Sequence, residues 1–468
     1  MLYTLEEINK DATLLPGIKL GMIAFDSCDS PAYGLQQSLD FVKGFIAHIN
    51  QYHEHEFQCK DGSFPQYRGG GFDHVVAVIG AQSSSVTIQV ATMLRLFKVP
   101  QISYMATSPS LSDNDRFPYF FRTVPSDVNQ AHAMLEILRK FNWTYVSVVH
   151  SDNEYGLHGF ETLKTLAEKY NVCFSAPQRV DKEHFQDRDY DNVLDNIVNK
   201  TEVRVMLVFM WREILTNLMD AARRHGVVTR FVWIVCDAWS SASRGSAESR
   251  DESVLEGALA VQPLSRNLGG FDDYFKTLTL GHSDLNPWFN ESLVEYCRRQ
   301  GSHRRAGLIR TIGVRCQPCC QIFEWKGYRQ QRYLHFVRDA IYAVAHALHD
   351  LQRDVCGDNY NGVCPGMKHI DGETLKSYLG NVSFHDVGGK QFRFLNGRDG
   401  PPRYSILNFQ RDDSDRRFHW KIVGNYSLDE NEAPVLNIDH SLISYRGGQD
   451  FPTSACATPC APHQVKLQ

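Results

Sequence analysis

Ser83, Ser84 and Ser85 follow the apolar run VVAVIG (75–80) and open an apolar helical pattern over 86–97. A strand that enters a helix through small hydroxyl residues leaves unpaired backbone N–H groups at the positive end of the helix dipole, which makes a cradle for an anion. Thr107, within Tyr104-Met105-Ala106-Thr107-Ser108, adds a further hydroxyl, and Asp127, within Pro125-Ser126-Asp127, adds a negative charge. Asp237 follows the apolar run FVWIVC (231–236), and open α/β sheets bind ligands at the carboxyl ends of their strands. A carboxylate buried there needs a cation or donors beside it. Donors for a carboxylate next to acid groups for an ammonium suit an α-amino acid. Each residue also has a plainer reading, since serine at a helix start and aspartate after Pro-Ser are common N-caps.

Other constellations carry less. Cys316-x-x-Cys319-Cys320 is half of a zinc pattern with no second pair at suitable spacing, so no metal is expected. His53-Glu54-His55 lacks the i, i+4 spacing of a helical metal site and reads as a solvated helix end. Gly69-Gly70-Gly71 lies in a polar loop ahead of its strand, not in the strand–GxGxxG–helix order of a nucleotide site. With no P-loop and no G-x-S-x-G elbow, neither an enzyme nor a cofactor is expected.

The elements that must position these residues alternate along the chain. Strand-like runs at 18–25, 75–79, 145–149, 203–211 and 231–235 are separated by helical patterns at 35–48, 86–97, 160–170 and 214–225. Continuous apolar strands between helices predict an α/β fold with doubly wound parallel sheets. The helix at 214–225 repeats apolar residues at Leu215, Leu218 and Ala222 and stops at Arg223-Arg224-His225-Gly226, the basic, glycine-ended terminus a macrodipole favours. The pattern at 86–97 is apolar over more than one face, so it needs a second partner or burial in its own domain. The polar stretch 240–253 (SSASRGSAESRDES) reads as a loop.

At 468 residues the chain exceeds one hydrophobic core, which implies two domains. A net charge of −5 gives no electrostatic case for nucleic acid. Among the twelve cysteines, Cys356 and Cys364 enclose a polar loop suited to a disulfide, and Cys456 and Cys460 sit in a Pro/Ser/Thr tail, all favouring an oxidising compartment. N-x-[ST] sequons at Asn142, Asn199, Asn290, Asn381 and Asn425 point the same way, although Asn142 borders a buried-looking strand. No run of eighteen apolar residues and no signal peptide occur, so a segment of a longer protein is expected.

Four blocks carry a resemblance: IGAQSSSVTIQV, VPQISYMATSPSLSD, YFFRTVPSD and FNWTYVSVVHSDNEYG, with weaker matches at VCDAW, FVRDAIYAVAHAL, MKHIDG and NIDH. In order and spacing they resemble the extracellular ligand-binding region of metabotropic glutamate receptor-like class C G-protein-coupled receptors, a Venus flytrap of two hinged lobes. The resemblance implies lobe 1 at 1–124 and 260–402, lobe 2 at 125–259 and 403–440, and a tail at 441–468 leading into a cysteine-rich region. It implies an α-amino acid gripped by Ser84 and Thr107 at its carboxylate and by Asp127, Tyr155 and Asp237 at its ammonium, with Met105 and Ala106 beside it.

Where the family holds a distal carboxylate, this sequence departs. Its clamp positions face Ala242, with Arg244 and Arg250 as substitutes, and Tyr333, with Arg332 adjacent, so glutamate specificity is not expected to follow from the α-amino-acid grip. The resemblance further implies an intersubunit disulfide at Cys59, a local one from Cys297 to Cys319 or Cys320, an unpaired Cys28, and a homodimer contact through Met93, Leu96 and Phe97. It places the molecule outside the plasma membrane, coupled to a G protein through a membrane domain not in this chain. The other readings are a soluble amino-acid-binding protein and a dimerisation module without ligand.

Overall fold

The computed structural model describes residues 1–52, 74–181, 184–200, 202–210, 212–237, 252–278, 286, 288–289, 291–292, 330–358, 360–412, 418–429, 431–446 and 450–455. The expectations at Cys59, Arg244, Arg250, Asn290, Cys297, Cys316, Cys319, Cys320, Cys456 and Cys460, and at 53–55, 69–71 and 240–250, lie outside these residues.

A three-stranded parallel sheet is formed by β1 (Val78–Ile79), β2 (Gln101–Ser103) and β3 (Phe120–Arg122). On one face, Ile102 and Phe121 pack with residues of α1 (Leu2–Lys10), α8 (Leu334–Cys356) and α9 (Gly372–Asn381). On the other lies α3 (Ser84–Leu94), beside α2 (Pro31–Tyr52), with Val86, Val90, Met93 and Leu94 against Val78. A disulfide joins Cys356, the last residue of α8, to Cys364.

The second sheet has eight strands in the order β13-β12-β11-β8-β7-β6-β4-β5. Its parallel part comprises β4 (Tyr145–Ser151), β5 (Cys173–Val180), β6 (Val205–Phe209), β7 (Val232–Val235) and β8 (Leu259–Pro263). The central β6 and β7 are apolar throughout because both faces are covered: α4 (Asp127–Lys140) and α5 (Glu154–Ala167) on one side, α6 (Asp187–Val198) and α7 (Arg212–Arg224) on the other. An antiparallel extension, β11 (Tyr404–Arg411), β12 (Phe418–Leu428) and β13 (Pro434–Ile438), completes the sheet.

One expectation is corrected. Residues 18–25 are not a strand: no ladder pairs with them, Gly21 interrupts the run, and Met22 and Ile23 are exposed. Of the residues expected at a dimer contact, Met93 packs mostly against Val78 and Val90 in its own cluster, whereas Leu96 is 70% exposed. Asn142, Asn199, Asn381 and Asn425 are all exposed.

Candidate functional site

The start of α3 faces the loop after β2. Ser83 is the N-cap residue, yet its hydroxyl makes no capping bond and is buried without a hydrogen-bond partner. Ser84 Oγ accepts the Ser108 N–H at 3.2 Å, which leaves its O–H proton to donate. Ser103 Oγ accepts from the N–H groups of Met105 (3.3 Å) and Ala106 (2.9 Å) and donates to the Ala81 carbonyl (2.7 Å), folding 103–108 back over the helix start. Beneath this loop the fully buried Arg122 donates to the Ala106 carbonyl (3.2 Å), the Ser108 carbonyl (2.9 Å), Asp399 Oδ1 (2.6 Å) and Ser112 Oγ.

Opposite stand the acid groups. Ser126, not Asp127, caps α4, accepting from Val128 N–H at 3.4 Å. Asp127, its first residue, gives its N–H to the Thr107 carbonyl at 2.9 Å and receives the Thr107 side chain on its carboxyl group, while Oδ2 is buried with no partner. Asp237 Oδ1 accepts from Tyr155 Oη at 2.9 Å and Gln130 Nε2 at 3.3 Å, and its Oδ2 accepts from Tyr333 Oη at 2.9 Å. Gln130 stands three residues after Asp127 on the same helical face.

Local structure fixes Tyr155. Asn153 Oδ1 caps α5 through Gly156 N–H at 2.9 Å, and the Tyr155 ring packs on Phe209 with centroids 5.0 Å apart. Gly159 admits that Phe209 ring, since a Cβ there would stand 2.3 Å from it. Tyr404 Oη donates to the Ser126 carbonyl at 3.1 Å and closes the cluster from β11.

Burial is the main force on these groups. It pushes the Asp127 carboxyl well above the usual carboxylate range, with the nearby Asp237 adding to the rise and Thr107 and Arg122 opposing it. Tyr155 and Tyr333 are raised well above ordinary phenols by burial and then by Asp237, and Tyr404 by burial and then by Asp127. All three therefore carry protons to donate. Two carboxyl groups, three phenols and an amide thus share one dry cluster.

Among the described candidates, Ser84, Met105, Ala106, Thr107, Asp127, Tyr155 and Asp237 surround the seam between the two sheets. Tyr333, expected at the ligand's side-chain end, ends the turn before α8, packs with Val124 and Phe336 and donates to Asp237. Arg332 donates to Gln262 Oε1 on β8. Sequence reading missed Gln130, Tyr404, Asp399 and Arg122. Only Gln130 had a local signal, its i+3 spacing from Asp127.

The geometry is that of a ligand-binding region with a polar seam between two α/β sheets, and residues 1–412 match the family described as the receptor family ligand binding region. The chain belongs to that family. It is similar along its whole length to a metabotropic glutamate receptor of Drosophila melanogaster, 33% identical over 508 aligned positions that cover 51% of that receptor. It is likewise similar to metabotropic glutamate receptor 4 of Mus musculus and of Rattus norvegicus, each 34% identical over 476 positions, covering 100% of this chain and 49% of the relative. The chain thus spans about half the length of these relatives. It is a metabotropic glutamate receptor-like extracellular ligand-binding domain, not an enzyme. Among the described residues no helix is long and apolar enough to cross a membrane.

Proposed function

We propose that the chain senses an α-amino acid for a class C G-protein-coupled receptor on the outer face of the plasma membrane, signalling as a homodimer through a membrane domain to a G protein. The ligand's carboxylate docks at the start of α3 against Ser84 and Thr107. Its ammonium meets Asp127, Tyr155 and Asp237. The two lobes follow the division 1–124 with 260–402 and 125–259 with 403–440, except that β8 pairs within the larger sheet and moves the return crossing past Pro263. The ligand favours closure through contacts made only when the lobes meet.

The observation that supports this reading is the buried pair Asp127 and Asp237 at the seam, with Asp127 Oδ2 lacking a partner. Such a pair is costly without a cation, and an ammonium is the cation of an amino acid. Specificity for glutamate is not part of the proposal, since Tyr333 and Arg332 bond to Asp237 and Gln262.

Calorimetry with L-glutamate, L-glutamine, L-alanine and glycine tests it. At least one binds, and Ser84→Ala and Asp237→Ala each weaken binding by roughly tenfold or more, the loss of one charge-assisted contact. A well-folded chain that binds none of them would leave the dimerisation module as the reading.

A further inference from the structure

Asp127 and Asp237 face the same seam but are solvated differently by the protein. Asp237 has two phenols and an amide donating to it, a donor set that suits a carboxylate. Asp127, 1% exposed, receives the Thr107 side chain and leaves Oδ2 buried without a partner. Facing it are Asp237 from the end of β7, Tyr155 from α5, Tyr404 from β11 and Arg122 from β3, with Tyr333 of α8 reaching the pair through Asp237. The one cation among them, Arg122, is already held by Asp399 and by two carbonyls. Two adjacent buried carboxyl groups cannot both ionise without a cation between them.

We propose that Asp127 carries a proton in the ligand-free protein and releases it as a ligand's ammonium arrives, so that recognition exchanges one proton for one cation. This rests on the amino-acid reading above. In the exchange the O–H bond of the Asp127 carboxyl breaks, the proton passes to solvent, and an N–H···O contact to Oδ2 replaces it; no bond within the ligand changes. The charge balance is even. Before binding the pair carries one negative charge, and afterwards two carboxylates and one ammonium carry the same. The raised affinity of Asp127 for its proton, caused first by burial and then by Asp237, agrees with the orphaned Oδ2.

A consequence is pH-dependent affinity. While Asp127 is protonated in the free protein, each unit of rising pH tightens binding about tenfold, and the gain ends once that proton is lost. A neutral amide at this position, as in Asp127→Asn, abolishes the dependence.

Infrared spectroscopy of the whole chain at neutral pH reads the proton directly. A protonated-carboxyl band is expected that shifts when the protein is grown with carbon-isotope-labelled aspartate. Asp339, raised by burial to about 7, adds a band of its own, so the Asp127 band is the part that remains in Asp339→Asn and disappears in Asp127→Asn. Saturation with whichever of L-glutamate, L-glutamine, L-alanine or glycine binds removes the Asp127 band, and calorimetry in phosphate and in Tris reports release of about one proton per ligand. No Asp127 band at neutral pH overturns the proposal, as does an Asp127 band that survives saturation with an amino acid that binds. If none of the four binds, the amino-acid reading fails, while the band in the free protein still decides whether Asp127 holds the proton.

Discussion

Arg122 is fully buried, and its guanidinium ties Asp399 to the carbonyls of Ala106 and Ser108, the loop that brings Thr107 to Asp127. Removing the charge of Asp399 leaves that guanidinium uncompensated in a dry site, and breaking a buried pair from one side costs about 3–5 kcal/mol. Asp399→Asn is therefore expected to lower unfolding stability by that order in urea titration, and to weaken amino-acid binding as the 106–108 loop loosens. A change under about 0.5 kcal/mol, the usual range for a surface substitution, would contradict the role assigned to Arg122. At this scale legibility depended on sequence distance. The serine cluster and Asp127 announce themselves beside a strand or a Pro-Ser cap, but Asp399 lies 277 residues from Arg122 and nothing local marks the two as partners. The cap assignment itself moved by one residue, to Ser126, because its hydroxyl accepts from Val128 N–H two residues ahead while the aspartate turns into the seam.

Helix α8 places two titratable groups, His335 and Asp339, one turn apart and buried. Burial lowers His335 to about 4, against the opposing bond to the Arg332 carbonyl, and raises Asp339 to about 7, against the opposing charge of Arg338. The signs oppose one another. Asp339, raised from 3.8, contributes stability that is full below 3.8 and is lost as pH rises through about 7, whereas His335, lowered from 6.5, contributes stability that is full above 6.5 and is lost as pH falls through about 4. Over the shared window from about 4 to 6.5 the two slopes largely cancel. Thermal melts across that window are expected to show Asp339→Asn losing stability on acidification and His335→Gln losing it on alkalinisation, each by on the order of 3 kcal/mol. Parallel melts of both variants and the native chain would contradict this. Among elements, β6 and β7 were readable because both faces are covered and their runs are wholly apolar. β12 was not, because its mixed burial hides the strand period, and 18–25 misled because an apolar run without a partner strand makes no ladder.

Across the whole molecule, the loop and helix start that would take a carboxylate pack on the three-stranded sheet, while Asp127 and Tyr155 sit on helices covering the eight-stranded one and Asp237 follows its β7 by two residues. The Tyr333–Asp237 bond already spans the two sides, because α8 packs against the smaller sheet. Alternation of strands and helices made the sheets legible in outline; the seam between them arises from contacts such as this one, which only the folded chain creates. An amino acid bound across it needs both of its charged ends, one for each side. The most direct measurement is calorimetric titration of the amino acid that binds best, alongside its N-acetyl derivative and its carboxamide. Only the free zwitterion is expected to bind measurably, each blocked form losing roughly a hundredfold or more as a buried charged group is left unpaired. Binding of either blocked form as tightly as the free amino acid would contradict the account.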